Sequence, residues 1–175
     1  MKLIWVCLSV CVLLTALATW VFGQSHVKWG RAQNNLQLGI GLRARSSESA
    51  PALRVSLKNV GSEIRELSIG FEGSAGPVYN VKITAMSDQQ PGEQLVYDLN
   101  ALKAHPTTGF VVAKTVSLEP GAAYVFTFPT KQLICIVDRE DVPLEDLLKR
   151  GYSVRASFEI AGLELVTPEL AVQER

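Results

Sequence analysis

Cysteine is scarce in this chain where a folded domain would use it. Of the three cysteines, Cys7 and Cys11 sit in an apolar N-terminal run and Cys135 alone lies beyond it. A lone cysteine makes no internal disulfide, so the fold must rest on an apolar core. Charge of one sign is lacking too. Lys and Arg number 17 and so do Asp and Glu, a formal net charge of zero; nucleic acid or anionic lipid would call for a basic excess. The two histidines, His26 and His105, are far from each other and from Cys135, so no close ligand pair for a tetrahedral zinc exists. The chain has no Gly-x-Gly-x-x-Gly and no Gly-Lys-Ser/Thr phosphate loop, which argues against nucleotide use. Gly73-Ser74-Ala75-Gly76 is a surface turn and not the Gly-x-Ser-x-Gly elbow of a serine hydrolase. The residues therefore predict no cofactor, no metal site and no catalytic group.

What the chain does have begins at its N-terminus. Leu3 to Phe22 is an uncharged, almost wholly apolar run directly behind Met1-Lys2. A basic start, an apolar stretch and small residues before a cut define a secretory signal, and Lys2, Leu3–Leu17 and Val21-Phe22-Gly23 fill those roles. This predicts a leader over 1–23, a mature start at Gln24 and an extracytoplasmic location. A second reading keeps the same run as a membrane anchor. Twenty helical residues reach about 30 Å, the thickness of a bilayer core, with Trp5 and Trp20 near the two interfaces. Cys7 and Cys11 are apolar filler, because Leu8-Ser9-Val10 lacks the small residue that lipidation needs before the cysteine.

The remainder, 24–175, has the length of one compact domain. Its pattern is period two, bounded by turn residues, which predicts an all-β class. Leu36, Leu38, Ile40 and Leu42 alternate with Gln37, Gly39, Gly41 and Arg43, as in a strand with one face on a core. Leu53, Val55 and Leu57 repeat the pattern, and Asn59-Val60-Gly61-Ser62 ends it. Leu67, Ile69 and Phe71 start a third strand, Tyr79, Val81 and Ile83 a fourth, and Leu95, Tyr97 and Leu99 a fifth. Asp88–Gly92 forms a turn. Phe110–Val112 is a short strand. Leu118-Glu119-Pro120-Gly121 is a turn placed before Tyr124, Phe126 and Phe128, whose alternation points all three into one core. Leu133–Val137 and Tyr152–Ile160 are longer strands, with Cys135 a buried inert thiol in the former. Leu163–Val172 holds one or two more, with Pro168 at an edge or kink.

Pro143–Gly151 is the helical exception: Pro in the first turn, acids leading, bases trailing and Gly behind predict a short, well-terminated helix that buries Leu144, Leu147 and Leu148. Asp138, Glu140, Asp141, Glu145 and Asp146 are the densest acidic cluster. Their spacing is not that of a calcium loop. We read them as acids gathered at the positive end of the helix dipole. A carboxylate pair for glycoside hydrolysis is a matter of geometry that no residue here points to.

Eight to ten short strands at this spacing suit an immunoglobulin-like antiparallel β-sandwich, with a barrel as the alternative. Trp29-Gly30 followed by Asn34-Asn35-Leu36-Gln37-Leu38-Gly39 resembles the opening of uncharacterised immunoglobulin-like domains in exported bacterial proteins, where Asn35 stands in place of the usual Gly. Leu53–Gly61 is similar to the second strand and turn of those sandwiches, and Leu118–Gly121 with Tyr124 and Phe126 to a late strand. The layout is also similar to proteinase-inhibitor-like and cell-adhesion-like bacterial modules. The resemblance implies a fold and an exported setting, and carries no catalytic residues.

The function expected is thus a non-catalytic extracytoplasmic binding or scaffolding module at the cell envelope, with a protein or glycan partner, and with a membrane contact through 3–22 if that run is uncleaved. The contrasting expectation is a secreted proteinase inhibitor, presenting a loop at 88–93 or 103–109, or a small hydrolase gathering His105 with acids from 138–146. Two residues stand out as possible partner contacts. Trp29 precedes the first strand, where capping the domain is the favoured role, and His105 lies in a polar loop. Unpaired sheet edges, which can accept an extended peptide, are the remaining binding feature.

Overall fold

The computed structural model describes residues 26–43, 51–73, 76–87, 94–97, 112–137 and 140–171. Among them are fourteen strands: β1 (Lys28–Trp29), β2 (Leu36–Arg43), β3 (Ala52–Asn59), β4 (Arg65–Gly73), β5 (Gly76–Tyr79), β6 (Val81–Met86), β7 (Gln94–Tyr97), β8 (Val112–Leu118), β9 (Ala123–Pro129), β10 (Ile134–Val137), β11 (Glu140–Pro143), β12 (Ser153–Ile160), β13 (Leu163–Val166) and β14 (Leu170–Ala171). One helix, α1 (Leu144–Lys149), joins them. The all-β class is as expected. All pairings are antiparallel, in four sheets ordered β1-β2-β3-β9, β10-β11, β13-β12-β6-β7 with β14 on β12, and β5-β4-β8.

The alternating apolar residues explain why these segments pair as they do. Leu38 lies opposite Leu57 and Ile40 opposite Val55, and Val55 and Leu57 in turn face Phe126 and Tyr124 of β9. Every second residue along the three strands thereby reaches one core, as a period-two side-chain pattern requires. That core is a single cluster. It takes Leu36, Leu38 and Ile40 from β2, Ile69 from β4, Ile83 from β6, Phe158 from β12 and the helix residues Leu144, Leu147 and Leu148. Each full burial of such a side chain is worth roughly 1.5–3 kcal/mol before entropy is counted. Phe126 is 2% exposed and joins the elements: its ring centroid is 5.1 Å from Tyr79, 4.9 Å from Tyr124 and 6.0 Å from Phe158.

Turn chemistry fixes one end. Asn34 and Asn35 adopt φ of 48° and 63°, left-handed values that Asn tolerates better than most residues, and the flanking Gln33 and Leu36 exchange backbone hydrogen bonds. In the turn after β8, the Ala122 N–H donates to the Glu119 carbonyl at 3.0 Å. Asn59, fully buried, ties this turn to the one after β3. Its Nδ2 donates to the carbonyls of Glu63 at 2.7 Å and Leu118 at 2.9 Å, while its Oδ1 accepts from the Gly61 N–H at 3.0 Å. A buried amide so completely partnered specifies geometry without leaving a polar group unsatisfied.

Several expectations change. The expected strand over Tyr79, Val81 and Ile83 is two strands in different sheets, β5 and β6, with Asn80 as the corner. Its N–H donates to the Ile69 carbonyl at 3.0 Å and its carbonyl accepts from the Glu159 N–H at 3.2 Å, so one residue bridges β4 and β12. Phe71 is not a core residue. The register between β4 and β8 slips between Ser68 and Gly70, a bulge that inserts Ile69 and reverses the facing of the residues beyond it; Phe71 is left 45% exposed. Gly70 makes the bulge possible at φ of 150°, because a Cβ there would collide with the Val78 carbonyl. β8 is much longer than Phe110–Val112 suggests. Ala113, Thr115 and Ser117 are exposed and Lys114 and Val116 half-buried, a polar edge-strand pattern that apolar alternation does not flag.

The acidic cluster also divides. Glu140 and Asp141 belong to β11, paired with β10, and only Glu145 and Asp146 lie in the first turn of α1, where Lys149 pairs with both at 3.4 and 3.1 Å. Pro143 is the residue before the helix rather than within its first turn. The expected membrane-spanning helix and membrane contact are likewise corrected. Among the described residues no helix is long and apolar enough to cross a membrane; α1 has six residues, and the run 3–22 lies outside the described residues.

Candidate functional site

The corner at Asn80 opens into a cleft. Residues of β4 and β5 (Ser68, Phe71, Val78, Tyr79) form one wall, the β12–β13 hairpin (Ser157, Glu159, Ala161, Gly162, Glu164) forms the other, and Val81 and Lys82 join them; the volume is about 850 Å³. This is the scale of a cleft that takes a small ligand or several side chains. The bulge in β4 is what puts an aromatic ring on its wall.

The hairpin wall follows from register. Ile160 pairs with Leu163 across a two-residue turn, Ala161-Gly162, and Glu159 faces Glu164 directly. Both turn residues have positive φ, 49° and 77°, the geometry of a type I′ hairpin turn that favours Asn-Gly. Ala161 carries a Cβ into left-handed space, which costs roughly 1–2 kcal/mol. Side chains directly opposite in a sheet share a face, so the two exposed glutamates place like charges on one side of the hairpin. Among the described residues neither is ion-paired. Lys82, opposite Ser157, stands diagonal to Glu159 and is the cleft's one cation among the described residues.

Behind the wall, Tyr79 is half-buried against Phe126 and Phe128. Burial first, then the neighbouring Tyr124, raises its pKa above the ordinary 10.0, with Lys114 opposing. Lys114 sits 6.0 Å from the Tyr79 ring centroid and 3.1 Å from Glu72 Oε2; that hydrogen bond chiefly holds its own pKa above the usual lysine value. The aromatic face is thus anchored from the rear, and Phe71 is presented to solvent on strands rather than on a loop.

The two residues singled out from sequence lie elsewhere. Trp29 is on the edge strand β1, opposite Gly39, 37% exposed. A Cβ at Gly39 would stand 2.6 Å from Trp29 Cε3, so the missing side chain lets the indole lie against β2. Lys58 Nζ sits 5.7 Å from its ring centroid. His105 lies outside the described residues, as do the loops 88–93 and 103–109, and so does Asp138 of the expected hydrolase pocket. Cys135 is in β10, opposite Val142. Among the described residues, no three His, Cys, Asp or Glu come together to hold a metal. Nothing in the period-two pattern anticipates the cleft itself. Its signals in the sequence are Gly70 inside a strand pattern and Ala-Gly between two strands flanked by glutamates. No family model matches the chain, and no curated protein matches it either.

Proposed function

We propose that this chain is a non-catalytic binding module of the cell envelope, built on an immunoglobulin-like antiparallel sandwich and acting through the cleft at the Asn80 corner. The observation that carries the reading is the exposed Phe71 ring, turned by a bulge onto the wall of an 850 Å³ cleft whose floor is hydrogen-bonded to two sheets. Concave, partly apolar sites on rigid elements with a few polar groups are where proteins bind ligands. Core residues contributed by β2, β3 and β9 on one side and by β6 and β12 on the other support the sandwich. The apolar run Leu3–Phe22 behind Lys2 supports export.

A thermal-shift panel tests the binding role: basic, acidic and neutral peptides and short oligosaccharides, with mass spectrometry of each compound afterwards. At least one class is expected to raise the melting temperature of the chain but not of Phe71→Ser, with every compound recovered unchanged. Recovery of cleaved compounds, or no shift from any class, would overturn the reading.

A further inference from the structure

The chemistry of the two walls is unequal, and the difference names an occupant. One wall carries the apolar Phe71 and Val78 beside Ser68 and Tyr79; the other carries Glu159 and Glu164 on the same face of the hairpin. Lys82 compensates at most one of them, so the cleft keeps an unmatched negative charge. Two carboxylates held opposite each other are destabilising alone and favourable once a cation lies between them. An aromatic ring in the same cleft suits a cation in addition, since a guanidinium or ammonium group is attracted to its face.

Resting on the binding role proposed above, we infer that the cleft takes a basic peptide segment, with an Arg or Lys side chain between Glu159 and Glu164 and a neighbouring apolar side chain against Phe71 and Val78. The volume favours a segment over a single small amine, because about 850 Å³ accommodates several side chains. Arginine suits the site better than lysine. Its planar fork reaches two carboxylates at once, and its weaker hydration lowers the cost of leaving water.

The test is fluorescence anisotropy of a labelled, end-capped Leu-Arg-Leu-Arg-Leu peptide titrated with the full-length chain, against matched peptides in which Gln or Glu replaces Arg. The Arg peptide is expected to bind at least tenfold more tightly than the Gln peptide, with affinity falling as salt rises, and the Glu peptide is expected not to bind. The double variant Glu159→Gln/Glu164→Gln, which keeps the shape and relieves the repulsion, is expected to erase the preference for Arg while melting no lower than the native chain. Equal binding of the Arg and Gln peptides overturns the inference, as does an Arg preference that survives in the double variant. If another class of the thermal-shift panel binds in a Phe71-dependent way while the Arg peptide does not, the cationic occupant falls and the binding role stands. If nothing binds, both fall.

Discussion

The turn end around Asn59 and the corner around Asn80 use the same residue type to opposite effect. Asn59 is buried with each of its side-chain groups partnered, and β3, the strand that it ends, pairs with β2 and β9 in unbroken register. Asn80 joins two sheets through its backbone, beside a bulge, a like-charge pair and an alanine at positive φ. Where local rules agree, a region serves stability. Where they are broken together beside a cleft, the breach marks the place at which a binding role is to be tested.

The largest loss of stability is expected at the centre of the core. Phe126→Ala is expected to cost about 3–5 kcal/mol, because the ring meets Tyr79, Tyr124 and Phe158; denaturant unfolding should show it as a lowered midpoint. Asn59→Ala comes next at about 2–4 kcal/mol, since two carbonyls and an N–H lose their partner in a buried place. On the cleft side the effects are small or of opposite sign. Phe71→Ser, at an exposed position, should change stability by no more than about 0.5 kcal/mol while removing ligand-induced stabilisation. Ala161→Asn is expected to stabilise by about 0.5–1 kcal/mol, supplying the residue that a type I′ turn prefers.

The same contrast separates the part of the molecule that is legible in the sequence from the part that is not. The alternation in Leu36–Leu42, Leu53–Leu57 and Tyr124–Phe128 locates strands and core because period-two burial is a local property of sequence. Pro120-Gly121 and Asn34-Asn35 announce their turns, and Leu144, Leu147 and Leu148 announce the buried helix face. Alternation misplaces Phe71 because a single inserted residue reverses facing, and an isolated Gly70 does not say on which side the slip falls. The break at Asn80 is hidden for a similar reason: alternation continues through Tyr79, Val81 and Ile83 although the sheet changes. The cleft is made by residues far apart in the chain, such as Phe71 with Glu159 and Glu164, and only the fold brings them together.

Alkaline pH acts on the wall behind the cleft. The Tyr79 pKa is raised in the folded state, so its contribution is full below about pH 10 and is lost as pH rises through the folded value. Lys114, also raised, loses its contribution in the same direction above about 10.5. Stability measured from neutral to strongly alkaline pH should therefore fall more steeply above pH 10 in the native chain than in Tyr79→Phe. Equal slopes would mean that the rear anchor of the cleft wall is energetically idle.

The most direct test of the central claim is the ligand-free denaturant midpoint of a variant carrying Glu159→Gln, Glu164→Gln and Ala161→Asn together. If the hairpin wall is held in its present form for a ligand, removing the repulsion and the left-handed alanine raises stability by about 1 kcal/mol. A fall in the midpoint would contradict the account, because these residues would then be supporting the fold and the cleft would be a consequence of packing.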